Sequence, residues 1–328
     1  MKYFLLFSAL LIVNSLIAQE PDCTQELLAQ KPGTWKAGPQ GSIANVTSTD
    51  LAKEKMVLAD IHKMISSKYN PVGCQLSYSM VYGKYPDEGQ TYIADPYYYV
   101  MRIMRYICDG NSADKSKYYV DISTSTTVNI DANAIYSLNN LFAANIPASD
   151  FRGYLKLDER PVKKDGYYYM GEKVINSADN KTMEYRWLIT YNDTLPFSYL
   201  SRKEYLHIQQ KRLEKSIKES PGEKEYSQKF LDKISEYLTN PISELSQPAI
   251  CMWNDEERFN GFVEEGTKGS FIAVKPNLNY YNKKLPKSSP QFFTVVYTLT
   301  ENDPVFEENI AAIKEAVDFA KLKNMLGK

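Results

Sequence analysis

Residues 97–130 read YYYVMRIMRYICDGNSADKSKYYVDISTSTTVNI, which holds three runs rich in β-branched and aromatic residues. Polar turn clusters separate the runs, and no helical segment lies between them. Strands joined this way pair antiparallel, because a parallel crossover needs a dozen or more residues, usually a helix. The stretch therefore decides the fold class: an α+β chain with antiparallel sheet and packed helices. The predicted strands are Tyr97 to Ile107, Tyr118 to Ser123 and Thr126 to Ile130, with Gln75 to Tyr82 ahead of them.

Working outward, Ser48 or Thr49 is placed to cap a helix with Asp50 in its first turn. Leu51, Leu58, Ile61 and Ile65 form its apolar face, and Tyr69-Asn70-Pro71 stops it. Beyond the quoted stretch, Tyr167 to Val174 and Glu184 to Tyr191 read as two more strands, joined through Asn176-Ser177-Ala178-Asp179-Asn180. The front of the chain is a helix on a meander.

The back is helix-rich. Ser201 and Glu204 form an S-x-x-E capping box, with Leu200 and Tyr205 at hydrophobic-staple positions. The helix that starts there runs to about Glu219 and breaks at Pro221-Gly222. A second helix follows, with Phe230, Leu231, Ile234 and Leu238 on one face, so the two make a helical hairpin. Phe271 to Val274 and Gln291 to Leu299 read as late strands. A final helix starts at Asp303 with Pro304 at its first position and Phe306, Ile310, Ile313 and Val317 on one side. The strands are compatible with one sheet or two. The organisation expected is residues 1–18 as a leader, 19–195 strand-rich and 196–328 helix-rich, the last two able to pack as one domain.

The leader is a secretory signal peptide by pattern. Lys2 precedes an apolar run from Tyr3 to Val13, too short to cross a bilayer, and Asn14-Ser15 rather than a basic flank ends it. Cleavage is expected near Ala18, and the residues before Cys23 do not form a lipid-attachment site. The mature chain is expected in the periplasm or outside the cell, with no integral membrane segment. The full chain has 39 basic and 40 acidic residues, and its mean hydropathy is −0.44. Such balance offers no basis for nucleic-acid binding. The oxidising destination favours disulfides. Cys74 and Cys108, at the same end of neighbouring strands, are predicted to pair, leaving Cys23 with Cys251. No two cysteines have metal-finger spacing, so no metal is expected.

Pro196 to Leu206, Lys275 to Gln291 and the Ala-Gln end of the leader resemble stretches of uncharacterised exported proteins of Bacteroidetes-type bacteria. The resemblance covers about a third of the chain. It implies a Gram-negative envelope or secreted setting and carries over no site residue.

Catalytic signatures are missing: there is no G-x-S-x-G, H-E-x-x-H, Walker or G-x-G-x-x-G motif, and nothing implies a cofactor. His62 reads as a partly covered helix residue with a hydrogen-bond partner, and His207, flanked by Lys203 and Lys211, as part of a solvated face. A carboxylate pair drawn from Asp95, Asp121, Asp131, Glu264 and Glu265 would suit an exported hydrolase. The unusual feature is 26 tyrosines. On a strand Tyr97 and Tyr99 share a face, and with Tyr280 and Tyr281 they are the candidate ligand-binding residues. The leading expectation is a non-catalytic protein that binds a protein, peptide or glycan. The alternative is the carboxylate hydrolase.

Overall fold

Tyr97, Tyr99, Met101 and Ile103 are wholly buried, whereas Tyr98, Val100 and Arg102 are not. This is the two-residue period of a strand with one face on a core. The computed structural model describes residues 22–40, 43, 46–83, 93–124, 126–134, 154–176, 181–191, 193–255 and 258–328. The leader and part of the 176–180 turn lie outside the described residues.

In chain order the front comprises α1 (Gln25–Ala29), β1 (Thr34–Ala37), α2 (Ser48–Ser66), β2 (Cys74–Val81), β3 (Tyr97–Cys108), β4 (Tyr118–Val120) and β5 (Thr127–Ala132). Then come β6 (Leu155–Leu157), β7 (Val162–Lys164), β8 (Tyr167–Asn176), β9 (Thr182–Thr190) and β10 (Phe197–Tyr199). The back holds α3 (Arg202–Glu219), α4 (Lys224–Tyr237), α5 (Ile242–Leu245), β11 (Ile250–Met252), β12 (Ser270–Pro276), β13 (Phe292–Thr300), α6 (Pro304–Ala316) and α7 (Phe319–Met325). The fold is α+β.

The capping box forms as predicted: the Ser201 hydroxyl accepts from Glu204 N–H, and the Glu204 carboxylate accepts from Ser201 N–H. Asp303 caps α6 with Pro304 in its first turn. The cap of α2 is Thr47, not Ser48 or Thr49, since the Thr47 hydroxyl accepts from Asp50 N–H at 3.1 Å.

Among the described residues, nine strands form one sheet in the order β1-β2-β3-β5-β13-β9-β8-β7, with β4 paired to β3. All its pairs are antiparallel except β1 with β2. A second sheet has the order β10-β12-β11, with β6 also on β12. Strand β13, from the helix-rich part, lies between β5 and β9 of the strand-rich part. The expected division at 195/196 thus separates no independent sheets.

Side-chain alternation stacks four layers. On β13, Phe293, Val295 and Tyr297 face α2, α6 and α7, whereas Phe292 faces the small sheet. On β12, Ile272 and Val274 face the large sheet, whereas Phe271 and Ala273 meet Leu206, Leu213 and Ile234 of the helical hairpin. The order is helices, large sheet, small sheet, helical hairpin. Each large apolar side chain enclosed this way contributes about 1.5–3 kcal/mol.

The disulfide expectation is overturned. Cys23 bonds to Cys108 across 85 residues, while Cys74 and Cys251 remain thiols, both buried. Parity is the reason. Cys74 pairs in register with Arg105, so Cys108, three residues further on, points to the opposite face of the sheet. There α1 docks: Gln25 Nε2 donates to Tyr106 O at 2.8 Å and Cys23 N–H to Lys115 O at 2.8 Å. Cys251 faces the helical hairpin, in a different layer from the N-terminal segment. Burial pushes the Cys74 thiol up to about 12, so it is inert while folded. Non-reducing peptide mapping is expected to recover a Cys23–Cys108 linked peptide. Alkylation of Cys74 and Cys251 is expected only after denaturation. A linked peptide containing Cys74 would contradict this fold.

Candidate functional site

The four tyrosines singled out from sequence form no exposed aromatic face. Tyr97 and Tyr99 are wholly enclosed beneath α2. Tyr97 donates to Ser288 O at 2.9 Å. The Tyr99 hydroxyl meets His62 Nδ1 at 2.7 Å, and the His62 ring stacks on Tyr78 at 4.1 Å between centroids. His62 is thus the half-covered, hydrogen-bonded helix residue expected, with its pKa lowered by burial. His207 is exposed on α3. Tyr280 and Tyr281 pack between the two sheets against Phe292, and Tyr280 donates to Gln291 O at 2.7 Å. Alternation gives which tyrosines share a face. It does not give which face the helices cover.

A different aromatic set is partly open. Helices α6 and α7 pack across β13 and reach β9, but the sheet continues to β8 and β7. On that extension Tyr167 and Tyr169 of β8 share the helix-side face with Tyr185 and Trp187 of β9, and all four are half-buried. Tyr169, Tyr185 and Trp187 line a recess of about 340 Å³ with the nearly buried Tyr297, Phe319 of α7 and Lys314 of α6. Tyr169 and Trp187 rings lie 5.0 Å apart, and Phe319 meets Trp187 at 5.5 Å and Tyr167 at 5.1 Å, both edge-on. Lys314 Nζ sits 4.6 Å from the Tyr185 centroid and 5.4 Å from that of Tyr297.

Backbone geometry shapes this end of the sheet. The β8/β9 register shifts between Tyr169 and Glu172, where Gly171 has φ +92° and any Cβ would collide with the Glu159 side chain. Such a bulge turns the strand locally. Around the rim, Lys164 Nζ lies 3.9 Å over Tyr169. The Tyr169 hydroxyl is pushed up to about 12 by burial and by the nearby Glu172 carboxylate.

No family model, curated protein or solved structure matches this chain.

The carboxylates also rearrange. Asp121 is 3.7 Å from Arg105 Nε, and the exposed Glu265 pairs with Arg160 at 2.6 Å. Glu264 stays on the surface side of the same turn. Asp131 is wholly buried on β5, neither oxygen has a hydrogen-bond partner among the described residues, and burial holds its pKa well above the carboxylate range. Asp95 is nearly buried and lies near Glu54, a residue the sequence reading passed over. A signal was present: Glu54 falls at helical spacing within the apolar series Leu51, Leu58, Ile61 and Ile65. Its Oε2 accepts from Gly83 N–H at 2.8 Å. Burial, with Asp95 and Asp50 adding negative charge, raises its pKa to about 7.

Among the described residues no set of three His, Cys, Asp or Glu side chains is arranged to hold a metal ion, and no helix is long and apolar enough to cross a membrane.

Proposed function

We propose that this chain is an exported, non-catalytic protein that binds a glycan in the recess of Tyr169, Tyr185, Trp187, Tyr297, Phe319 and Lys314. One observation carries the reading: half-open aromatic rings surround a cavity of about 340 Å³, within the roughly 300–1,000 Å³ of small-ligand sites. Flat aromatic faces match the C–H face of a pyranose, and tyrosine adds a hydroxyl at the tip of the ring that can pair with a sugar hydroxyl. A peptide fits less well. Peptide docking by strand addition needs unpaired backbone, whereas β9 and β13 are paired on both sides and β8 is paired at Tyr169 with β7 and β9.

The leader pattern and the Cys23–Cys108 bond support a place outside the cytoplasm. Mass spectrometry of the protein from envelope and medium fractions tests this by its mature N-terminus.

The hydrolase alternative draws on Glu54 and Asp95, whose electrostatic contact and raised Glu54 pKa are the features of an acid/base pair. Both side chains are buried, which closes them to a glycosidic substrate and favours the recess.

Trp187→Ala is expected to weaken glycan binding at least tenfold, about 1.4 kcal/mol, with the thermal midpoint shifted by only a few degrees. Calorimetric titration of any array-selected glycan checks it. Unchanged affinity in a folded Trp187→Ala protein would remove the recess as the site.

A further inference from the structure

We infer that the glycan taken by this recess carries a carboxylate, as in a uronic or sialic acid, and that Lys314 selects it. The inference rests on the recess being the binding site.

Three lysines surround the aromatic walls. Lys314 lies over Tyr185 and Tyr297 at 4.6 and 5.4 Å, Lys164 over Tyr169 at 3.9 Å, and Lys323 near Tyr167 at 5.9 Å. None of the three has a carboxylate within ion-pair distance among the described residues. Of the acids near the rings, Glu301 pairs with Lys181 at 3.1 Å, whereas Glu172, which accepts from the Tyr169 hydroxyl at 3.4 Å, and Glu159 keep their charge on the Tyr169 side of the rim. The recess thus combines ring faces with one ammonium, that of Lys314, in its own lining.

Lys314 is the distinctive member because it lines the cavity itself. Its neighbours Ile313 and Ala316 are buried in the core, so α6 is held in place and presents the exposed Lys314 side chain at the recess. The Tyr185 and Tyr297 rings partly desolvate its ammonium, and burial lowers its pKa. A ring face is a weaker partner for an ammonium than a carboxylate. An acidic sugar stacked on Trp187 would therefore gain an ion-paired hydrogen bond, whereas a neutral sugar offers the ammonium only hydroxyl acceptors.

Contrast shows that lysines alone do not make this site. The hollow between α2 and α7 is lined by Lys63, Lys321 and Lys328, yet Asp60 shares it and it has no aromatic wall.

The test uses the mature protein on an array of neutral glycans and glycans ending in uronic or sialic acid, with Trp187→Ala and Lys314→Gln alongside. The expected result is binding at least tenfold stronger to acidic members, weakened by 0.5 M-range salt. Trp187→Ala should lose both classes, whereas Lys314→Gln should lose the acidic preference and keep neutral binding. Trp187-dependent binding that treats the two classes alike, or a preference that survives in Lys314→Gln, overturns the inference and leaves the recess as the site. The absence of any Trp187-dependent binding to either class overturns the site reading itself.

Discussion

Arg186→Ala is expected to destabilise the protein by about 3–5 kcal/mol, the cost of breaking a buried ion pair by removing one partner. Arg186 projects from β9 toward the small sheet with only 3% of its side chain exposed. Its Nη2 donates to Asp158 Oδ2 at 3.1 Å, and Nε lies 3.3 Å from Glu184 Oε1. Asp158 directly follows β6 of the small sheet, so this guanidinium ties the two sheets together. Lys173 of β8 reaches the same Asp158 oxygen at 3.4 Å, but from a half-exposed position where such a pair contributes about 1 kcal/mol at most.

Without Arg186, Glu184 and Asp158 would keep only the exposed Lys173 ammonium as a nearby cation. Burial already raises the Glu184 pKa, an effect that Arg186 opposes. The loss should therefore exceed that of a simple truncation. Arg186→Met combined with Glu184→Leu removes both charges and should recover most of the stability, because a well-packed apolar pair avoids the desolvation cost. Urea unfolding of the single and double variants measures this. If Arg186→Ala alone cost less than about 1 kcal/mol, the range of an exposed pair, the ion pair would not be joining the sheets.

How much of this was legible depended on whether the information was local. The Ser201–Glu204 capping box, the Asp303-Pro304 start and the alternation along residues 97–103 are local, and each produced the element it predicted. Strand order is not local. Nothing in residues 292–300 states that β13 inserts between β5 and β9, because the partners are chosen by burial of both its faces, one on Ile310 and Ile313 of α6 and the other on the small sheet. The parallel β1–β2 pair was equally invisible.

The cysteine error has the same origin. Placing Cys74 and Cys108 at one end of a strand pair used strand direction but not side-chain parity, and parity decides which thiols meet. For the tyrosines, the alternation Tyr185-Arg186-Trp187 places two aromatic rings on one face of β9, a signal the sequence reading passed over. The depth of helix cover over that face depended on where α6 and α7 end, and that is a tertiary fact.

Glu54→Gln is expected to stabilise the protein by about 2–3 kcal/mol at pH 8 and by almost nothing at pH 4. Glu54 is wholly buried on α2, its Oε1 has no hydrogen-bond partner among the described residues, and Asp95 and Asp50 stand nearby. Its pKa rises from the ordinary 4.5 to about 7, so the folded chain holds this proton more tightly than the unfolded chain. The stability linked to that proton is complete below pH 4.5 and drains away as pH rises to 7. At about 1.4 kcal/mol per pH unit the loss approaches 3 kcal/mol.

Glutamine stays neutral throughout. Its amide oxygen can still accept from Gly83 N–H, and its NH₂ takes the place of the unpartnered Oε1. His62 changes stability in the other direction: its lowered pKa costs stability as pH falls below about 6.5. Both proteins share that term, so it cancels in the difference between them. Chemical unfolding of wild type and Glu54→Gln from pH 4 to pH 8 is the measurement. Parallel curves would mean that Glu54 ionises at its ordinary pKa. A gap that opens between pH 4.5 and 7 would identify it as a buried carboxyl whose ionisation costs stability in neutral solution, held at a core position of α2 by the Gly83 backbone.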